Sequence, residues 1–274
     1  MIVAIHGKKS AGKDTLTKLI QYHTCKDDSW FKDSIVTSLV EWNGDFDNLG
    51  DWKNKKFATP IKEIVSLITG ISLKDLEKEE VKSQELSDWK VWKLDWSGFK
   101  EEGEALFASK EEANDYSNYL YEEVGIYNVN TTEFIPTVRY FLQYIGTDLF
   151  RAKIHPDVWV KSLFSQYKSS YENNYWYKNK GIYEVSENDE LQHPPELPKW
   201  IISDLRFRNE LKAVKDRGGI VVKVTRPETD KQSGNHPSET ELDSYKQWDW
   251  VFDNSKNLEY LNEQVKQFVK FYKL

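Results

Sequence analysis

At 274 residues, 39% of them hydrophobic and 30% charged, the chain can bury a sizeable core, and no apolar run approaches the roughly 20 residues of a membrane span. A net charge of −7 argues against a general nucleic-acid binder, which needs a broad basic face. The lone Cys25 excludes an internal disulfide framework and a cysteine-rich zinc site.

In chain order, residues 2–6 read as a buried strand, Gly7 to Gly12 as a loop, and Lys13 to about His23 as a helix with Leu16, Leu19 and Ile20 on one face. The start is too short for a signal-peptide core, so a cytoplasmic chain is expected. Asp27 to Lys56 reads as irregular connection. Pro60 to about Thr69 carries Ile61, Ile64, Val65 and Ile68 at helical spacing, with Gly70 as its stop. Leu73 to Leu86 and Glu101 to Tyr121 read as charged helices. Thr137 to about Phe150 and Pro156 to Tyr167 are helical again, and 169–198 is an insertion rich in Tyr, Asn and Lys. Trp200 to Ser203 is strand-like, Asn209 to Arg217 helical, Gly218-Gly219 a turn, and Ile220 to Val224 a β-branched strand. Pro227 to Tyr245 has few apolar residues, Trp250 to Phe252 is a short strand, and Leu258, Leu261, Val265, Phe268 and Val269 mark an amphipathic final helix. Strands alternating with helices predict an α/β fold, a mainly parallel sheet with helices on both faces and inserted segments.

Two constellations carry chemistry. Gly7-x-x-x-x-Gly12-Lys13 offers backbone N–H groups that wrap a phosphate, a helix N-terminus aimed at it, and a lysine for the terminal phosphates. Asp14 stands where the usual motif places Ser or Thr to hold Mg²⁺, with Thr15 next. Either Asp14 approaches Mg²⁺ while Thr15 contacts a more internal phosphate, or Asp14 is a carboxylate favoured by the helix dipole. The second constellation is Ser203-Asp204-Leu205-Arg206-Phe207-Arg208-Asn209-Glu210 after an apolar strand, where open α/β sheets bind ligands. Asp204 there either orients Mg²⁺ or caps a helix, and Arg206 can meet transferring phosphate. Only six of the 38 basic residues are arginine. That sparing use suits bidentate phosphate clamps or scattered surface ion pairs.

These motifs resemble the deoxynucleoside monophosphate kinases of the tailed-phage type and, more distantly, the animal phosphomevalonate kinases, which share the Gly-Lys-Asp form of the loop. Four more blocks carry the likeness: Phe57-Ala58-Thr59-Pro60-Ile61-Lys62; Arg139-x-x-x-Gln143-x-x-Gly146-Thr147-x-x-x-Arg151; Ser203-Asp204-x-Arg206-Phe207-x-Asn209-Glu210; and Ser238-Glu239 with Trp250-Val251-Phe252-Asp253-Asn254.

The resemblance implies a single P-loop kinase domain over 1–274, a three-layer sandwich. Its core is expected at about 1–25 and 199–274, the acceptor-binding and inserted region at about 26–198, and a lid at 226–247. It implies transfer of the ATP γ-phosphoryl group to a deoxynucleoside 5′-monophosphate with Mg²⁺, giving dNDP and ADP. Gly7, Lys9, Ser10, Ala11, Gly12, Lys13, Asp14 and Thr15 would hold ATP. Lys62, Arg139, Gln143, Arg151 and Arg206 would surround the acceptor, with Lys13, Asp204 and Arg206 at the reaction centre and Asp14 and Asp204 toward the metal. On a continuous helix Arg151 lies about 120° from Arg139, so convergence needs a bend near Gly146; Gln143 is equally readable as a buried hydrogen-bonding residue. Asn254 either contacts the ATP base or caps the last helix. Arg226, Lys231 and His236 belong to the lid or to an ordinary surface loop.

No nucleic-acid polymer or membrane partner is expected, a homodimer is allowed for, and the compartment would be the host cytoplasm for a phage-encoded chain. The competing readings are another P-loop small-molecule kinase of the phosphomevalonate type, and a nucleotide-binding protein without turnover. Asp47-x-x-Gly50 fits a short GTPase pattern, but no Asn-Lys-x-Asp follows it.

Overall fold

All five residues of the first strand are buried, as required of a strand covered on both faces. The structure is a computed structural model that describes residues 1–25, 50–97, 102–168, 196–230 and 237–274. Residues 47–49 of the Asp-x-x-Gly pattern, Lys231, His236 and most of the stretches 27–56 and 169–198 lie outside the described residues.

In chain order the main elements are β1 (Ile2–His6), α1 (Lys13–Thr24), β2 (Trp52–Lys55), α2 (Thr59–Thr69), β3 (Val91–Ser97), β4 (Glu102–Phe107), α3 (Lys110–Tyr119), β5 (Val129–Phe134), α4 (Val138–Gln143), α5 (Val158–Phe164), β6 (Lys199–Ile202), α6 (Arg208–Lys215), β7 (Ile220–Thr225), β8 (Trp250–Asp253) and α7 (Leu258–Tyr272). They group into two units, Met1–Pro60 with Asp157–Leu274, and Ile61–Pro156.

In the first unit the strand order is β2-β6-β1-β7-β8, and every pair is parallel. Side chains alternate along each strand, and β1 shows what this does to the core. Val3 and Ile5 pack with Leu16, Leu19 and Ile20 of α1 and with Leu261, Val265 and Phe268 of α7. Ile2 and Ala4 face the other way, onto Val160 and Leu163 of α5 and Leu211 and Val214 of α6. Each such large side chain, once buried, contributes about 1.5–3 kcal/mol. Helices on both faces make this the three-layer α/β sandwich of a P-loop kinase.

One strand of this parallel sheet was not visible in the sequence pattern. β2 lies within the stretch read as irregular, yet it pairs with β6 at the sheet edge. Trp52 alone of its four residues is fully buried, so no apolar run marks it. Gln21 of α1 fastens it by donating to the Trp52 carbonyl at 2.9 Å.

The second unit holds an antiparallel sheet of order β4-β3-β5. Leu94 of β3 packs with Ala113 of α3 and Leu120, flanked by Trp92, Trp96 and Tyr116. The expected helix over Glu101 to Tyr121 is therefore a strand followed by a helix. Ser109 divides them: its hydroxyl accepts from the Glu112 N–H at 3.2 Å and caps α3. A separate cluster joins Val65 of α2, Leu76, Val138 and Ile145.

α4 is capped by Thr137, whose hydroxyl accepts from the Tyr140 N–H at 3.1 Å. At Tyr144 the winding changes to a wider π-helix that runs to Ile154. The bend anticipated near Gly146 is thus a change of helical pitch, and π segments recur at functional positions. Gly146 also packs tightly: a Cβ there would stand 2.9 Å from Ile61 Cδ1.

Candidate active site

In a parallel sheet the loops that follow the strands gather at one edge. The loops after β1, β6 and β8 do so here, because these strands and β7 are consecutive neighbours. After β1, Ser10 and Gly12 adopt left-handed backbone, with φ of 60° and 101°. Such turns point successive N–H groups inward to form an anion-binding nest, here at the N-terminus of α1. Lys9 and Ser10 lie exposed on the loop, Ala11 is buried, and Thr15 is half-buried in the first helical turn.

Lys13 turns its ammonium onto the loop, donating to the carbonyls of Gly7 and Lys8 at 2.8 Å each. Its pKa is lowered to about 8, first by burial and then by the Arg206 guanidinium, while Asp14, Asp204 and Glu239 pull it upward. The structure thus brings Lys13, Asp14, Asp204 and Arg206 into one electrostatic field, together with Glu239. Two cations in one field favour a negatively charged ligand near them.

Asp204 does not cap a helix. Its two carboxylate oxygens accept from the backbone N–H groups of Phe57 and Ala58 at 2.8 and 2.9 Å, which fixes the loop after β2 against the end of β6. The helix behind it is capped by buried Glu210, whose carboxylate accepts from the N–H groups of Arg206 and Phe207 at 2.8 and 3.0 Å. That bond sets the backbone from which Arg206 reaches the Ser238 carbonyl at 3.2 Å and the Glu239 carboxylate at 3.9 Å.

Asp14 is placed as its helix-dipole alternative requires. It lies in the first turn of α1, where the dipole favours an anion, and its side chain is 80% exposed, 3.8 Å from Lys56 Nζ. Mg²⁺ commonly keeps several waters and takes one or two carboxylates plus substrate phosphates. An exposed carboxylate at a phosphate loop fits that donor set, and no cluster of three His, Cys, Asp or Glu exists among the described residues.

Asn254 does not cap α7 either. Asn257 does, accepting from the Tyr260 N–H at 3.0 Å. The Asn254 amide instead donates to the Ala11 carbonyl at 2.9 Å.

Several neighbours of the site went unread in the sequence. Lys8 donates to the Glu239 carbonyl and the Asp243 carboxylate at 2.6 and 2.7 Å, which ties the loop to the segment around Pro237–Thr240. His6 donates from Nδ1 to the Leu205 carbonyl at 3.0 Å and stacks on Trp248 with ring centroids 5.0 Å apart. Lys56 directly precedes the Phe57-Ala58 block, the one sequence signal that could have drawn attention to it.

Of the five expected acceptor residues, all but Arg206 belong to the second unit. Lys62 of α2 pairs with Glu77 at 2.6 Å. Arg139 of α4 pairs with Glu79 at 2.5 Å, so both cations meet one short segment. Arg151 lies in the π-helix and donates to the Pro156 carbonyl at 3.3 Å. Gln143 is half-buried at the end of α4.

Comparison with known proteins agrees with this architecture. Residues 1–265 match the family model described as deoxynucleotide monophosphate kinase. A protein of Acanthamoeba polyphaga mimivirus named "Putative deoxynucleotide monophosphate kinase" is 30% identical over 156 residues, which cover 54% of this chain and 72% of the relative. A parallel sheet with a phosphate loop at its carboxyl edge, and a family match that runs through nearly all of the chain, place it in one group: the chain belongs to the deoxynucleotide monophosphate kinase family.

Proposed function

We propose that the protein transfers the γ-phosphoryl group of ATP to a deoxynucleoside 5′-monophosphate, giving dNDP and ADP. The observation that carries this reading is the left-handed loop of Ser10 and Gly12 at the N-terminus of α1, with Lys13 donating to its Gly7 and Lys8 carbonyls. The acceptor's 5′-phosphate oxygen forms the new bond to the γ-phosphorus as the bond to the ADP oxygen breaks. Charge spreads over the equatorial oxygens in that transition state, and positioned cations stabilise it. The loop N–H groups hold the donor phosphates, the Lys13 ammonium at the loop neutralises their charge, and Arg206 meets the transferring group. Asp204 holds the loop that leads into the Lys62 block. Asp14 would hold Mg²⁺, which bridges and neutralises phosphate oxygens when bound.

The test is ADP formation from ATP and Mg²⁺ with each of the four common dNMPs. Turnover on at least one is expected, and Lys13→Ala should lower kcat on the order of a hundred-fold or more with an unchanged circular dichroism spectrum. Absence of turnover on every dNMP would overturn the proposal.

A further inference from the structure

A backbone nest that presents its N–H groups to an anion must turn its carbonyl groups outward, and each buried carbonyl then needs a donor of its own. In the loop after β1 two of these carbonyls, Gly7 and Lys8, are served by Lys13. The Ala11 carbonyl is served from the far edge of the sheet, by the side-chain amide of Asn254 at 2.9 Å.

Asn254 is itself held from two sides. Its N–H donates to the Thr225 carbonyl at 2.8 Å, which prolongs the pairing of β8 with β7. The preceding residue is gripped by Gln264 of α7, whose side chain accepts from the Asp253 N–H at 2.9 Å and donates to the Asp253 carbonyl at 2.8 Å. The amide also lies against the loop's second left-handed residue: a Cβ added to Gly12 would stand 2.4 Å from Asn254 Nδ2. Gly12 is therefore required twice, by its backbone angle and by this contact.

We infer that Asn254 is a positioning residue for phosphate binding: by holding the Ala11 carbonyl it keeps the loop's N–H groups turned toward the donor phosphates. The inference rests on the phosphate-binding reading of the loop and assigns Asn254 to the loop backbone in place of the ATP base.

Inorganic tripolyphosphate separates the two roles, because it has phosphates and no base. ATP and tripolyphosphate are titrated calorimetrically into the full-length wild type, Asn254→Ala and Asn254→Asp, with Lys13→Ala as the control for the loop. Loss of one buried hydrogen bond predicts that Asn254→Ala weakens both ligands alike, by roughly ten-fold. Asn254→Asp, nearly the same shape but unable to donate to a carbonyl, should weaken both at least as much, so the test survives if the alanine variant fails to fold. Weakening confined to ATP, with tripolyphosphate unaffected, would show a base contact and overturn the inference; so would unchanged binding of both. Failure of the wild type to bind either ligand would remove the reading of the loop itself.

Discussion

His6 ends β1 and adjoins the phosphate loop, yet it is organised so as not to titrate near neutrality. Burial pushes its pKa down to about 4, with Lys223 and Lys13 adding to the effect and the bond to the Leu205 carbonyl opposing it. That bond requires the proton on Nδ1, and the ring serves by shape, stacked on Trp248. The sign of the consequence follows from linkage. Between pH 6.5 and about 4 the unfolded chain binds a proton at this residue that the folded chain refuses, so stability falls as pH falls through that window, by about 3 kcal/mol at most from this group. Urea unfolding at pH 7, 6 and 5 should show the decline in the wild type. In His6→Asn, which keeps a donor for Leu205 and cannot titrate, the slope should be shallower; an equal slope would mean that His6 is not the source.

At the scale of elements, the segment from Asp75 to Lys82 lays Glu77 and Glu79 on Lys62 and Arg139. Both carboxylates are about half exposed, so each pair contributes little to stability. They matter more as competitors, because an acceptor phosphate that uses Lys62 and Arg139 must displace them. Glu77→Gln combined with Glu79→Gln should lower the KM for the dNMP roughly two- to five-fold and leave kcat unchanged. A rise in KM would show instead that the carboxylates orient the cations. None of this was legible in the sequence, where Leu73 to Leu86 gave charge without a partner. The strands β1 and β7 were legible because a strand buried on both faces is apolar throughout. β2 and β4 were not: an edge strand needs only one buried residue, and Glu102-Gly103-Glu104-Ala105 carries too little apolar contrast to declare a period of two.

For the molecule as a whole, the phosphate loop could be read directly, because its chemistry is local and runs in sequence. The contacts that hold it could not, because Asn254 and Asp243 reach it from 243 and 235 positions along the chain. The arginines divide in the same way. Arg206, Arg139 and Arg151 are the three expected at phosphate, and in the structure they meet the Ser238 carbonyl, Glu79 and the Pro156 carbonyl; Arg217 lies over the Phe164 ring, Arg208 donates to Ser244 and Arg226 pairs with Glu228. Sparing use of arginine therefore did not by itself mark a phosphate clamp. The proposed donor residues all fall in the unit of Met1–Pro60 and Asp157–Leu274, and most of the proposed acceptor residues in Ile61–Pro156, which gives a prediction on the whole chain. In hydrogen exchange followed by mass spectrometry, ADP alone should slow exchange in peptides covering 7–15, 203–207 and 250–254. A dNMP alone should slow it in peptides covering 59–69 and 138–154. Local protection of this kind arises because a ligand raises the free energy of opening only where opening releases it. Protection by ADP alone that is as strong over 138–154 as over 7–15 would mean that donor and acceptor are not assigned to separate residue sets.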